Sequence, residues 1–209
     1  MLALCAGAAN VIVISEQLLA RVEQVYDAPA RQRVEAWAAL LARQDLADDA
    51  SKLEAVNRFF NAMRFRDDSV HWGENDYWAT PIEFLGTNGG DCEDFSIAKY
   101  FTLRHLGVPE EKLRMVYVKA LKLNQAHMVV AYLETPDAEP LVLDNLVPEI
   151  KRAGLRRDLK PVYSFNGDGL WLAKERGLGN APVGKADKLS LWTQLQQRMQ
   201  SADWRKATS

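Results

Sequence analysis

The sequence predicts an α+β domain, with helices in its first half, one central helix, and an antiparallel sheet built from the strands that follow. Three observations carry that expectation. Apolar residues recur at helical spacing as far as Leu106. Runs rich in Val, Leu, Tyr and Met then take over, separated by turn-prone stretches. The two kinds of segment do not interleave, which sets the chain apart from a parallel sheet with crossover helices.

Taken in order, Leu18, Leu19, Val22, Val25 and Tyr26 define a first helical face, and Val34, Trp37, Ala38, Leu40 and Leu41 a second. Ser51-Lys52-Leu53-Glu54 reads as a capping box opening a third helix, whose apolar face carries Leu53, Val56, Phe59, Phe60 and Met63. Thr80 caps a short helix with Pro81 at its first position and Glu83 two residues further on, ending at Gly86. Thr87-Asn88-Gly89-Gly90 is expected to turn. A helix over 91–106 puts Phe95, Ala98, Phe101 and Leu106 on one side, with His105 as a cation suited to its C-terminal end. Strands are expected over 114–121, 126–134 and 140–146. The tail from Lys151 has loops at Gly167-Asp168-Gly169 and 177–184, then a helix from about Lys188 to Trp204. There is no internal repeat at a solenoid period.

A chain of 209 residues can bury a full core, and 48% hydrophobic with 26% charged is ordinary for a soluble globular protein. The net charge of −2 gives no general argument for nucleic acid or an anionic membrane. Charge is uneven, −9 over residues 1–150 and +7 over 151–209, which reads as a basic face pairing with an acidic body. No apolar run reaches the roughly 20 residues that span a bilayer.

Only two cysteines occur, Cys5 and Cys92. Cys5 lies in an apolar, small-residue stretch ending in an Ala-x-Ala-like site, Ala6-Gly7-Ala8. Residues 1–14 are therefore expected to be the remnant of a secretory signal, the other reading being a buried N-terminal helix or strand; residues 15–209 form one domain. Removal of such a signal leaves Cys92 alone in an oxidising compartment, where an idle thiol is a hazard.

The most informative stretch is Gly89-Gly90-Asp91-Cys92-Glu93-Asp94-Phe95. Two glycines permit a sharp turn, and a helix begins at the cysteine. A helix N-terminus carries partial positive charge and unpaired N–H groups, which favour thiolate and can donate to an oxyanion. Cys92 could equally be a buried, inert thiol. Its partners come from the strands: His127 starts one and Asp144 ends the next. In an antiparallel hairpin those two positions lie side by side, as a base and the acid that orients it. Singly, His127 could be a strand start and Asp144 a turn former. Together with Cys92 they read as a nucleophile, base and orienting acid. His71 is a weaker candidate.

At these residues the chain resembles the bacterial transglutaminase-like cysteine proteinases of the LapG type. The likeness rests on Gly89-Gly90-Asp91-Cys92-Glu93-Asp94, Gln125-Ala126-His127-Met128, Leu143-Asp144-Asn145 and Pro161-Val162-Tyr163-Ser164-Phe165-Asn166-Gly167, and covers roughly residues 15–200. It implies a papain/transglutaminase-like fold and a cysteine endopeptidase with Cys92 as nucleophile, His127 as general base and acid, and Asp144 as orienting acid. It implies work in the periplasm, on the N-terminal region of a large biofilm adhesin at a paired-alanine site. It further implies inhibition by an inner-membrane receptor of the LapD type that senses cyclic di-GMP. Ca²⁺ is expected as cofactor, with Asp91 and Glu93 as ligands.

Carboxylates on both sides of a nucleophilic thiol would raise its pKa, an objection that a hard cation with oxygen ligands removes. Since Ca²⁺ takes 6–8 oxygens, Asp94 and the loop residues Glu74, Asn75 and Asp76 are further candidates; without a cation, Asp91 and Glu93 would merely complement the helix dipole. Trp72 and Trp78 could be part of an exposed receptor-binding surface, although six tryptophans in such a chain more often belong to the core. Two other functions fit the same residues: an acyl transfer to an amine rather than water, or a binding module that keeps the fold without turnover.

Overall fold

The longer helices of the N-terminal half each begin at a side chain that accepts a hydrogen bond from the first turn. In the computed structural model, which describes residues 12–167, 169–172, 182–201 and 204–207, α1 (Glu16–Val25) starts at Ser15, whose hydroxyl accepts from Leu18 N. Asp27 does the same for α2 (Ala28–Leu41), taking Ala30 N at 2.6 Å. The third helix, α3 (Asp49–Asn61), departs from expectation: its cap is Asp48, which accepts from Ser51 N at 2.7 Å. Two capping-type residues stand three apart here, and the earlier one starts the helix, leaving Ser51 in the first turn.

A short β1 (Arg64–Phe65) and α4 (Asp68–His71) lead to α5 (Pro81–Thr87), which opens with the expected Thr80 cap in a full capping box with Glu83. It runs one residue past Gly86, and Asn88 closes it in the left-handed region at φ 57°. The expected turn at Gly89-Gly90 is instead β2 (Gly89–Gly90), paired parallel with β1. Only glycine fits either position: a Cβ on Gly89 would strike the Arg64 carbonyl, and one on Gly90 would strike the Asp94 carboxylate. The central helix α6 (Cys92–His105) starts there.

Beyond it, all neighbours pair antiparallel in a six-stranded sheet of order β6-β5-β4-β3-β7-β8. The strands are β3 (Leu113–Ala120), β4 (Gln125–Tyr132), β5 (Leu141–Leu143), β6 (Lys151–Arg152), β7 (Leu159–Phe165) and β8 (Leu170–Leu172). The three expected strands are β3, β4 and a shorter β5. No strand was expected in the tail, which supplies β6, β7 and β8. Pro161 argues against a strand, since it cannot donate to the ladder; the register between β3 and β7 shifts beside it, between Tyr117 and Val118. The last helix, α7 (Ser190–Ser201), sits within the expected span and buries Trp192 against Phe101, Tyr100 and Phe165.

The core lies between α6 and one face of the sheet, where Met115, Met128, Val130, Leu143 and Phe165 meet Phe95, Ala98 and Leu103. The opposite face carries a smaller cluster of Val116, Val118, Val129, Ala131 and Val142, covered by Ala153 and Leu159. Both faces of β4 are thus buried, which is why its sequence reads as a continuous apolar run. Cys5 and the rest of the expected signal remnant up to position 11 lie outside the described residues, and 12–14 belong to no helix or strand. Among the described residues no helix is long and apolar enough to cross a membrane.

Candidate active site

Cys92 is the first residue of α6, behind the N-cap Asp91, whose carboxylate accepts from Glu93 N at 3.2 Å. A second reciprocal bond joins Asp94 to the Asp91 amide. Cys92 is 8% exposed, and its sulfur donates to Glu93 Oε2 at 2.8 Å and receives the backbone N–H of Met128. Burial pushes the Cys92 thiol well up, the charges of Glu93 and Asp91 push it further, and the Met128 amide opposes them. The favour that a helix terminus gives to thiolate is outweighed here by burial and two carboxylates.

Met128 follows His127, so the strand that reaches the sulfur also carries the candidate base. Leu143 pairs with Val130, which places Asp144 opposite Val129 and diagonal to His127 on the same face of the sheet. The two side chains meet: His127 Nε2 lies 2.8 Å from Asp144 Oδ1, with both residues almost fully buried. Asp144 Oδ1 also accepts from Leu146 N at 2.9 Å, a turn that ends β5 sooner than expected. Its Oδ2 accepts from Arg156 Nη2 at 2.7 Å, and its backbone carbonyl from Asn61 Nδ2 at 2.9 Å. Burial alone would raise the Asp144 carboxyl, but His127, the Leu146 amide and Arg156 together hold it down at about 2. It stays ionised.

The acidic residues gather around the start of α6. One oxygen each from Asp68, Asp91 and Asp94 lies within 4.8 Å of the others, as do the ligand atoms of Asp91, Cys92 and Glu93. Burial first, then neighbouring negative charge, pushes Asp91 up to about 11 and raises Asp94. Asp68 rises to about 7 for the same reasons, against the pull of the Tyr77 amide. Asp68 Oδ1 is buried without a hydrogen-bond partner. Crowded carboxylates and an orphaned buried oxygen form a donor set that fits a hard cation. Of the loop candidates, Asp76 feels the Glu93 charge, whereas Glu74 pairs with Arg205 and Asn75 is exposed.

Sequence reading missed Asp68, Arg156 and Asn61, which come from other elements with no spacing to link them to Cys92 or Asp144. It also missed the stacked rings of Tyr117 and Tyr163, 5.0 Å apart, beside Met128 in the sheet register. Two other expectations are corrected. His105 is no helix-end cation: its Nδ1 accepts from Ile12 N at 3.1 Å, and burial lowers its pKa. Trp72 and Trp78 are buried at 1% and 5% exposure, so they belong to the core and not to a surface. His71 bonds Thr87 Oγ1 at 2.9 Å, in a structural role.

A buried thiol at the N-terminus of a central helix, with a His–Asp pair on neighbouring antiparallel strands, defines a transglutaminase-like cysteine peptidase. The chain belongs to that group: the model of the family described as bacterial transglutaminase-like cysteine proteinase, BTLCP, matches residues 29–154. Among solved structures, EGTA-treated LapG of Legionella pneumophila is 45% identical, with a TM-score of 0.77 over 90% of this chain and 98% of that one. Calcium-bound LapG of the same organism is 45% identical, with a TM-score of 0.75 over 89% and 99% of the two chains. Comparison with curated proteins gives no match. The expected transglutaminase-like α+β fold therefore holds.

Proposed function

We propose that the protein is a calcium-dependent periplasmic cysteine endopeptidase that cuts the N-terminal region of a large biofilm adhesin between paired alanines and so releases it from the cell surface. The observation that carries the catalytic part is the His127–Asp144 bond of 2.8 Å on the strand whose Met128 amide reaches the Cys92 sulfur. With Nε2 held by Asp144, Nδ1 is the ring atom that takes the thiol proton. The Cys92 sulfur then bonds to the scissile carbonyl carbon, and backbone N–H groups at the start of α6 receive the oxyanion. Collapse breaks the C–N bond as His127 returns the proton to the leaving amine. Water, deprotonated by His127, then frees the acyl group and restores the thiol.

The need for calcium is supported by the donor set and by the calcium-bound and EGTA-treated structures of the 45%-identical LapG. Asp91 and Glu93 would hold the ion with Asp68 and Asp94. When bound, it neutralises the negative charge around the thiol. The adhesin substrate, the paired-alanine site, the periplasmic location and restraint by a cyclic di-GMP-sensing inner-membrane receptor of the LapD type follow from the family resemblance. The test is incubation of the purified protein with an adhesin N-terminal fragment, with calcium or with EGTA, and mass spectrometry of the products. Cleavage between adjacent alanines in the calcium arm alone is the expected result. An ammonia-releasing cross-link would replace hydrolysis with transamidation, and an intact fragment in both arms would remove the reading.

A further inference from the structure

The chain between β6 and β7 contributes a side chain that the mechanism above does not use. Arg156 follows a short 3₁₀ turn, Ala153–Leu155, and is 4% exposed. Its segment is pinned on both flanks, because Ala153 and Leu159 pack on the outer face of the sheet. The guanidinium is itself fixed: Nε lies 3.1 Å from Asp158 Oδ1 and Nη2 lies 2.8 Å from Asp158 Oδ2. A fork clamped in this way has one direction left for Nη2, and along it lies Asp144 Oδ2 at 2.7 Å. The other oxygen, Oδ1, takes His127 and the Leu146 amide. The carboxylate is thus held at both oxygens and cannot turn about its own axis.

We propose that Arg156 is a positioning residue for the reaction, aiming the Asp144 carboxylate at His127 and setting how strongly that carboxylate favours the imidazolium. This rests on the Cys92–His127–Asp144 reading. A lone buried carboxylate would stabilise the imidazolium strongly. An arginine on its far side draws off part of that field, which eases return of the proton that the imidazole accepts. The other charges that act on the pair are Lys99 on α6, which senses Asp144, and Asp158 beside Arg156. Neither touches the carboxylate oxygens in the way Arg156 does.

The test titrates His127 by NMR at fixed calcium, which is practical because the chain has three histidines, and reads the rate of Cys92 alkylation by iodoacetamide at pH 7. In Arg156→Met the His127 titration is expected to rise by about one pH unit, since a cation within a few ångströms of Asp144 is gone, and alkylation to slow about tenfold. Arg156→Lys keeps the charge without the fork, so it restores the titration while alkylation stays severalfold slow. An unchanged His127 titration in a folded Arg156→Met overturns the proposal. If that variant does not fold, the lysine variant decides, and wild-type alkylation in it overturns the proposal. Asp144→Asn separates this from failure of the triad: if it leaves His127 and alkylation unchanged, the triad reading falls and takes the proposal with it. If it alters both while Arg156→Met alters neither, only the role of Arg156 falls.

Discussion

The Cys92 thiol donates to Glu93 Oε2 at 2.8 Å, so the nucleophile is bonded to the carboxylate of the residue that follows it. Burial and the Glu93 charge both favour the proton on sulfur. Glu93→Gln is therefore expected to lower the thiol pKa in EGTA, because one negative charge and one acceptor of the S–H bond disappear. The pH dependence of thiolate absorbance in EGTA checks this. A thiol that titrates no lower in the variant would mean that burial alone holds the proton.

Calcium is expected to raise the melting temperature, since an ion that binds only the folded chain stabilises it by mass action. Asp68→Asn, which removes charge from the crowded cluster, should lose most of that calcium-induced shift. In EGTA the same variant should be as stable as the parent or more so, because the repulsion that raises these carboxyls is relieved. Calorimetry with and without calcium reads both effects. An equal calcium shift in parent and variant would take Asp68 out of the ligand set.

Cys92→Ala is expected to abolish cleavage, by a factor of a thousand or more on the order seen when a covalent nucleophile is removed, while stability changes by about 1 kcal/mol or less. The substitution removes a single buried sulfur atom, so the cavity it leaves is small. Cleavage of the adhesin fragment and urea unfolding of the same preparation check the two halves. Measurable proteolysis by the variant would move the nucleophile elsewhere.

Much of this arrangement was legible in the sequence because it is local. The Thr80 cap, the start of α6 at Cys92 and the β3–β4 hairpin all follow from residues a few positions apart. The meeting of His127 with Asp144 was legible too, since neighbouring strands in a meander leave few choices of partner. What sequence could not supply is contact made across the fold. Arg156 reaches Asp144 only because β5 and β6 pair and carry its loop back. Asp68 joins the acidic cluster only because the parallel pairing of β1 with β2 brings its helix to the start of α6. β7 was hidden for another reason: Pro161 breaks the strand signal, and the sheet absorbs it with a register shift.

Asp144 ties stability to acid. Its carboxyl titrates at about 2 in the fold against 3.8 as the ordinary value, so the folded chain holds fewer protons there between those values. A depressed carboxyl contributes stability that is complete above about pH 4 and is lost as pH falls through 2, amounting to about 2 kcal/mol. Asp144→Asn should therefore be less stable than the parent at pH 6, with the difference shrinking at pH 3. Urea unfolding at the two values tests it, and a difference independent of pH would assign the loss to shape instead of charge.

Lys99 gives the opposite sign. It is 1% exposed on α6, with its ammonium 5.9 Å from the Phe95 ring centre, and burial lowers it from 10.5 to about 7 although Asp144 pulls the other way. Between pH 7 and 10.5 the folded chain binds fewer protons at this site than the unfolded chain, so stability rises with pH across that window. At pH 7 nearly the whole penalty is present. Lys99→Met keeps the length of the side chain and removes the group that resists burial, so it should stabilise the protein at pH 7 by roughly 2–4 kcal/mol. The gain should shrink by pH 9, where the parent recovers part of the penalty and the variant has none to recover. Urea midpoints of both proteins at pH 7 and 9 decide the matter. A variant less stable than its parent at pH 7 would mean that the ammonium contributes more to the field around Asp144 than its burial costs.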